Sequence, residues 1–120
     1  MRLRVPFARI GVAHAQTLAA DPHTCILDVR DPDAFAGGHI PGAENISIAN
    51  LSRIISTASK HAPVLIYCYH GHASQEYAQI FSDFGFLSVY SLDGGFEAWL
   101  RHQRPRHRVQ NDLLDQFLAG

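Results

Sequence analysis

The chain has 120 residues, 47% of them hydrophobic, and a formal net charge of −1. That length supports one domain whose core needs no disulfide. The near-neutral charge argues against a general nucleic-acid binder, and no apolar run approaches the roughly 18 residues of a transmembrane helix.

Taken in order, the N-terminus carries basic residues among scattered apolar ones. Arg9 and His14 interrupt any signal-peptide core, so the expected compartment is the cytoplasm. Residues 7–10, FARI, predict a short first strand. AHAQTLAA (13–20) predicts a helix with Leu18 and alanines inward, ended by Asp21 and Pro22. CILDV (25–29) is a nearly continuous apolar run, as in a central parallel strand covered on both faces. Residues 33–36 fit one helical turn, and GGHIPGA (37–43) is a glycine- and proline-punctuated loop.

NISI (45–48) predicts a short strand, and Leu51, Ile54 and Ile55 give helical spacing within a helix over 52–58. Pro63 breaks the chain before strand VLIYC (64–68). From Ser74 onward, Tyr77, Ala78, Ile80, Phe81 and Phe84 form a helical stripe, with Gly85 placed to cap its far end. SVYSL (88–92) predicts a strand, Asp93-Gly94-Gly95 a turn, and FEAWL (96–100) a helix start with Phe96 and Trp99 in the core. Strands alternate with helices throughout, which predicts an α/β architecture with a mostly parallel sheet.

The domain is expected to end near residue 105. Residues 106–120 form an extension with a short helix carrying Leu113, Leu114, Phe117 and Leu118 on one side. Arg101, Arg104, Arg106 and Arg108 cluster with His102 and His107. The cluster is read as a solvated connector, with an anionic partner as the alternative.

The two cysteines differ. Cys25 lies inside a predicted strand as a small buried hydrophobe. Cys68 closes a strand, where its side chain is expected to reach solvent, and heads a short loop, Tyr69-His70-Gly71-His72-Ala73, before Ser74 opens a helix. In an open parallel sheet, ligands bind beyond the carboxyl ends of the strands. VLIYC and CILDVR should therefore deliver Cys68, Asp28 and Arg30 to one edge. Gly71 can adopt a positive φ, so the turn can aim consecutive amides inward as an anion nest. The helix start adds free N–H groups and a positive dipole end. Both favour a thiolate over a thiol, whose ordinary pKa is about 8.5. The same donors suit an oxyanion. Glu76 in the first helical turn would oppose the thiolate if it turned inward.

His70 and His72 either assist an anion near the sulfur or face solvent. A Cys68-His70-His72 metal site would need three ligands to converge from one tight loop, and no metal is expected. No local aspartate or asparagine orients a histidine base, so a cysteine-protease dyad is weakly supported. Arg30, flanked by acidic residues, is read as a structural ion pair. Asp28 is read as a holder of nearby loop amides. GHIPG (38–42) is a rigid turn and not a phosphate loop.

Three segments carry a family resemblance. LDVRDPDAFAGGHIPGAENI (27–46) resembles the N-terminal signature of rhodanese domains, CYHGHAS (68–74) their active-site loop, and VYSLDGGFEAW (89–99) their C-terminal signature. Together they cover residues from about 8 to 102, and the likeness is to single-domain bacterial members. It implies a five-stranded parallel sheet with helices on both faces. It implies that Cys68 is the nucleophile, carried as a persulfide, with the amides of Tyr69, His70, Gly71, His72, Ala73 and Ser74 as its cradle. Asp28 and Arg30 match a supporting Asp-Val-Arg motif, and Gly94 and Gly95 a turn where backbones pack closely. Ala73 stands where many members carry an arginine that steers thiosulfate. Single-domain members also lack it, and weak thiosulfate affinity is the expectation.

The implied function is thiosulfate sulfurtransfer. The donor is thiosulfate or another sulfane-sulfur compound, and the acceptor is cyanide, a small thiol or a protein dithiol. No cofactor, nucleic acid or membrane takes part, and the oligomeric state stays open. One alternative is a persulfide relay serving a partner protein. The other is a phosphatase or arsenate reductase of the same fold. Those need Cys-x5-Arg, and position 74 is serine.

Overall fold

The computed structural model describes residues 6–103. The basic residues 104–108 and the helix expected near the C-terminus lie outside that range. The elements are β1 (Ala8–Ile10), α1 (Val12–Ala20), β2 (Cys25–Asp28), α2 (Pro32–Ala36), β3 (Glu44–Asn45), α3 (Ile48–Thr57), β4 (Val64–Tyr67), α4 (Ala73–Asp83) and β5 (Val89–Leu92). A further helix, α5, covers residues 95–103.

All five strands pair in parallel, in the order β1-β5-β4-β2-β3. The apolar run of β4 takes the centre because every one of its side chains is buried. Successive side chains alternate between faces. Val64 and Ile66 join Leu27 and Val89 under Ile54 of α3 and Ala78 and Phe81 of α4. Leu65 and Tyr67 join Ile26 and Leu92 under Ala15 of α1 and Trp99 of α5. The result is the five-stranded sheet with helices on both faces that the sequence predicted. Burying each such aliphatic side chain contributes about 1.5–3 kcal/mol.

One segment departs from expectation. The strand expected over 45–48 stops at Asn45, and α3 begins at Ile48, four residues before the predicted start. The cause is a local cap. Ser47 Oγ accepts from the Ala49 amide at 3.3 Å, and Asn50 Oδ1 accepts from the Ser47 amide at 2.9 Å. Ile48 points outward, 75% exposed, so its apolar side chain adds nothing to the sheet's core.

The topology places the site. From β2 the chain runs outward to β3, and from β4 it runs the other way to β5. The connections leaving these two neighbouring strands diverge, which opens a crevice at their carboxyl ends. Asp28 is in register with Tyr67, so Arg30 and Cys68 emerge side by side.

Candidate active site at the Cys68 loop

Cys68 follows β4 directly. Its sulfur does not reach freely into solvent as a strand-end position suggested, because the residue is only 5% exposed. The loop it heads folds back over it. The Gly71 amide donates to Sγ at 3.1 Å and the Ser74 amide at 3.4 Å, with Ser74 Oγ also 3.4 Å away. Gly71 adopts φ +100, and a Cβ there would stand 2.9 Å from the Gly94 amide nitrogen. Only glycine lets the chain turn here and also touch the next loop.

Burial works against the Cys68 thiolate. The Ser74 hydroxyl, then the Ser74, Gly71 and His70 amides, outweigh it and hold the thiol below its ordinary pKa. Cys25 is the opposite case: burial, with Glu44 nearby, pushes its pKa up. It is half-buried at the other end of β2 and unpaired.

The loop's amides face inward because its carbonyls are held from outside. Cys68 O accepts from the Phe96 amide at 2.8 Å and Tyr69 O from the Glu97 amide at 3.3 Å. These are free first-turn N–H groups of α5, so helix start and loop satisfy each other. Gly95 makes the approach possible. It has φ +61, and a Cβ there would lie 2.5 Å from Cys68 O and from Tyr69 C and O.

Asp28 and Arg30 form a buried ion pair on the β2 side. Arg30 Nη2 meets Asp28 Oδ2 at 2.7 Å, and Arg30 Nε lies 3.1 Å from both carboxylate oxygens. Asp28 Oδ1 also accepts from the Arg30 amide at 2.8 Å. The same Nη2 donates to Gly38 O at 2.6 Å, tying the 37–43 loop to the sheet edge. The guanidinium lies over the Phe96 ring at 4.1 Å, with the Tyr67 and Tyr69 rings each 5.7 Å away. Arg30 therefore braces the loop's flank through Nε, Nη2 and the face of its guanidinium. Tyr67 Oη accepts from the Ile40 amide at 3.0 Å, and burial together with the Asp28 carboxylate pushes its phenol pKa up.

Three partners were not visible in the sequence. Glu97, on α5, meets His70 Nδ1 at 2.7 Å, so one loop histidine has a carboxylate from outside the loop. Ser91 Oγ lies 2.8 Å from Ser74 Oγ. Phe96 packs on Arg30 in addition to joining the core. Nothing in local spacing links residue 70 to 97 or 74 to 91. The one available signal was a serine on the buried face of an otherwise apolar β5. Ser74, expected to open α4, sits inside its first turn with the hydroxyl turned toward sulfur, one residue after the start at Ala73. His72 is exposed at the helix N-cap without a side-chain cap bond, and Ala73 and Glu76 are exposed. Among the described residues, no cluster of three His, Cys, Asp or Glu side chains could hold a metal ion.

A thiol at the carboxyl edge of a parallel sheet, enclosed by the amides of its own loop, defines a class of domain, and comparison with known proteins agrees. Residues 12–102 match the rhodanese-like domain. The thiosulfate sulfurtransferase GlpE of Tolumonas auensis is 40% identical over 99 residues, covering 82% of this chain and 92% of the relative. The GlpE of Pseudomonas fluorescens is 44% identical over 93 residues, covering 78% and 84%. The crystal structure of the Alr3790 protein from Anabaena sp. matches with a TM-score of 0.71 and 26% identity, covering 89% of this chain and 93% of that one. The chain belongs to the rhodanese family.

Proposed function

We propose that this protein is a thiosulfate sulfurtransferase that carries sulfane sulfur as a persulfide on Cys68. The observation that carries the proposal is the pair of main-chain donors, Gly71 and Ser74, together with the Ser74 hydroxyl, packed around a buried sulfur whose pKa is lowered. Family membership and the likeness to GlpE-type enzymes support sulfur-transfer catalysis.

The cycle has two displacements. The Cys68 thiolate attacks the outer sulfur of thiosulfate. A Cys–S bond forms, the S–S bond of thiosulfate breaks, and sulfite leaves with the bonding pair. The loop amides that held the thiolate then hold the terminal persulfide anion. Cyanide or a thiolate next attacks the terminal sulfur, giving thiocyanate or a new persulfide and returning Cys68 as thiolate. Each step is a two-electron displacement at sulfur whose charges balance between the reacting species, so the cycle as written calls for no metal or organic cofactor. Ala73 gives the loop mouth no guanidinium, and the loop's only basic side chains are His70 and His72. A low thiosulfate affinity follows.

Residues 1–105 constitute the catalytic domain in this reading and 106–120 an extension. Two unpaired cysteines support a reducing, cytoplasmic setting. No helix among the described residues is long and apolar enough to cross a membrane. The choice between a free-standing enzyme and a persulfide relay turns on the acceptor.

The test is side-by-side turnover of thiosulfate with cyanide, with a dithiol, and of an aryl phosphate. The expected result is sulfur transfer without phosphate release. Phosphate release without sulfur transfer would replace this reading with that of a phosphatase.

A further inference from the structure

Ser91 is a buried polar residue with no part in the cycle described above. It lies on β5 between Tyr90 and Leu92, is fully buried, and shares its face of the sheet with Val89. That position normally takes an aliphatic side chain, since burying a hydroxyl is unfavourable without a partner. Its partner is Ser74, also fully buried, with the two oxygens 2.8 Å apart. Ser74 in turn contacts Cys68 Sγ at 3.4 Å. Sulfur, Ser74 hydroxyl and Ser91 hydroxyl thus form an unbroken chain.

We propose that Ser91 is a positioning residue for Cys68: by donating to Ser74 Oγ, it turns the Ser74 hydroxyl proton onto the sulfur when the sulfur carries negative charge. The inference deepens the persulfide reading and rests on it. A hydroxyl that donates has lone pairs left over, and in a dry site those need a donor. Ser91 is placed to supply one. With the thiol protonated, S–H donates to Ser74 and Ser74 donates to Ser91. When the thiol proton leaves to solvent, both hydroxyls rotate, Ser91 donates to Ser74, and Ser74 donates to the anion. Each hydroxyl keeps its own proton, so the chain reverses direction without transferring charge.

Other groups around the loop have different engagements. His70 and Glu97 pair with each other, as do Arg30 with Asp28 and Asp93 with Arg9. His72 and Glu76 are exposed. Among the described residues, none of these side chains hydrogen-bonds Sγ, which leaves the two serines as the side-chain route to the sulfur.

The test is the pH profile of Cys68 alkylation by iodoacetamide on the full chain, read by mass spectrometry of the Cys68 peptide. Ser91→Ala is expected to move the inflection upward and slow alkylation near neutrality about three- to tenfold, the effect of one weakened hydrogen bond to a charged group. The limiting rate at high pH is expected to stay unchanged. Because Ser91→Ala also opens a small void, Ser91→Thr and Ser91→Val provide an isosteric pair. The threonine variant should keep the wild-type inflection and the valine variant should shift it. An unmoved inflection in Ser91→Ala and Ser91→Val, or uniform slowing at every pH, would overturn the proposal. Alkylation needs no sulfur donor, so this outcome is separate from a failure of the wild type to take up sulfur from thiosulfate.

Discussion

The Phe96 amide donates to the Cys68 carbonyl at 2.8 Å, and this bond sets which way the loop's peptide units face. With the carbonyls of residues 68 and 69 drawn toward the start of α5, the amides further along turn to the sulfur. The cradle is thus assembled from two chain segments about 25 residues apart, and Gly95 is the point where they touch.

Gly95→Ala should disturb both stability and chemistry. The new Cβ would meet backbone atoms of Cys68 and Tyr69 at 2.5 Å, and the residue would be held at φ +61. Backbone strain alone is expected to remove about 1–3 kcal/mol, with slower Cys68 alkylation as the loop shifts. Gly11→Ala is the control, since its Cβ would meet nothing within 4 Å. Thermal melts of the two variants check this: a Gly95→Ala protein as stable as Gly11→Ala would contradict it.

Ser74→Ala removes the largest of the contributions that lower the Cys68 pKa. Alkylation near neutrality should slow about tenfold, in line with losing a hydrogen bond to a charged group. The same pKa makes a stability prediction. The folded value lies below the unfolded one, near 8.5. Between the two values the unfolded chain binds the proton more readily. The stability that Cys68 contributes is therefore complete above the unfolded value and lost as pH falls through the folded one. Denaturant midpoints of wild type minus Cys68→Ser, measured across that window, should rise with pH. A flat difference would contradict the lowered pKa.

Arg30→Ala should be among the most destabilising single changes. It would leave the Asp28 carboxylate, fully buried, without its partner. Breaking such a pair is expected to cost about 3–5 kcal/mol. Arg30→Lys should restore only part of this, because an ammonium cannot span both carboxylate oxygens and Gly38 O while lying over Phe96. Chemical denaturation of both variants measures it. A lysine variant equal to wild type would show that charge alone suffices.

Asn50→Ala tests the start of α3. Losing its bond to the Ser47 amide should lower stability by about 1 kcal/mol and leave the Cys68 alkylation profile unchanged. A shifted profile would mean that α3 and the loop are coupled.

Much of this architecture could be read from local pattern. The apolar runs of β2 and β4 and the stripe of α4 sit where their periodicity placed them, and the strand-loop-helix order brought Cys68, Asp28 and Arg30 to one edge. The short edge strand ends earlier than NISI suggests because Asn45 and Ile46 bond to β2 while Ser47 turns to cap α3, and no alternation of apolar residues marks that change. Contacts between distant segments stayed hidden. Glu97 with His70, Ser91 with Ser74 and Phe96 with Arg30 depend on how α5 and β5 pack, and no spacing rule encodes that. The depth of Cys68 is hidden in the same way: the segment that covers the sulfur is its own loop, held down by α5.

The most direct test is intact mass after incubation with thiosulfate and removal of excess donor. Wild type should gain one sulfur atom, Cys68→Ser should gain none, and cyanide should return the wild-type mass to its starting value. Wild type that gains no sulfur, or Cys68→Ser that gains it equally, would contradict a persulfide carried on Cys68.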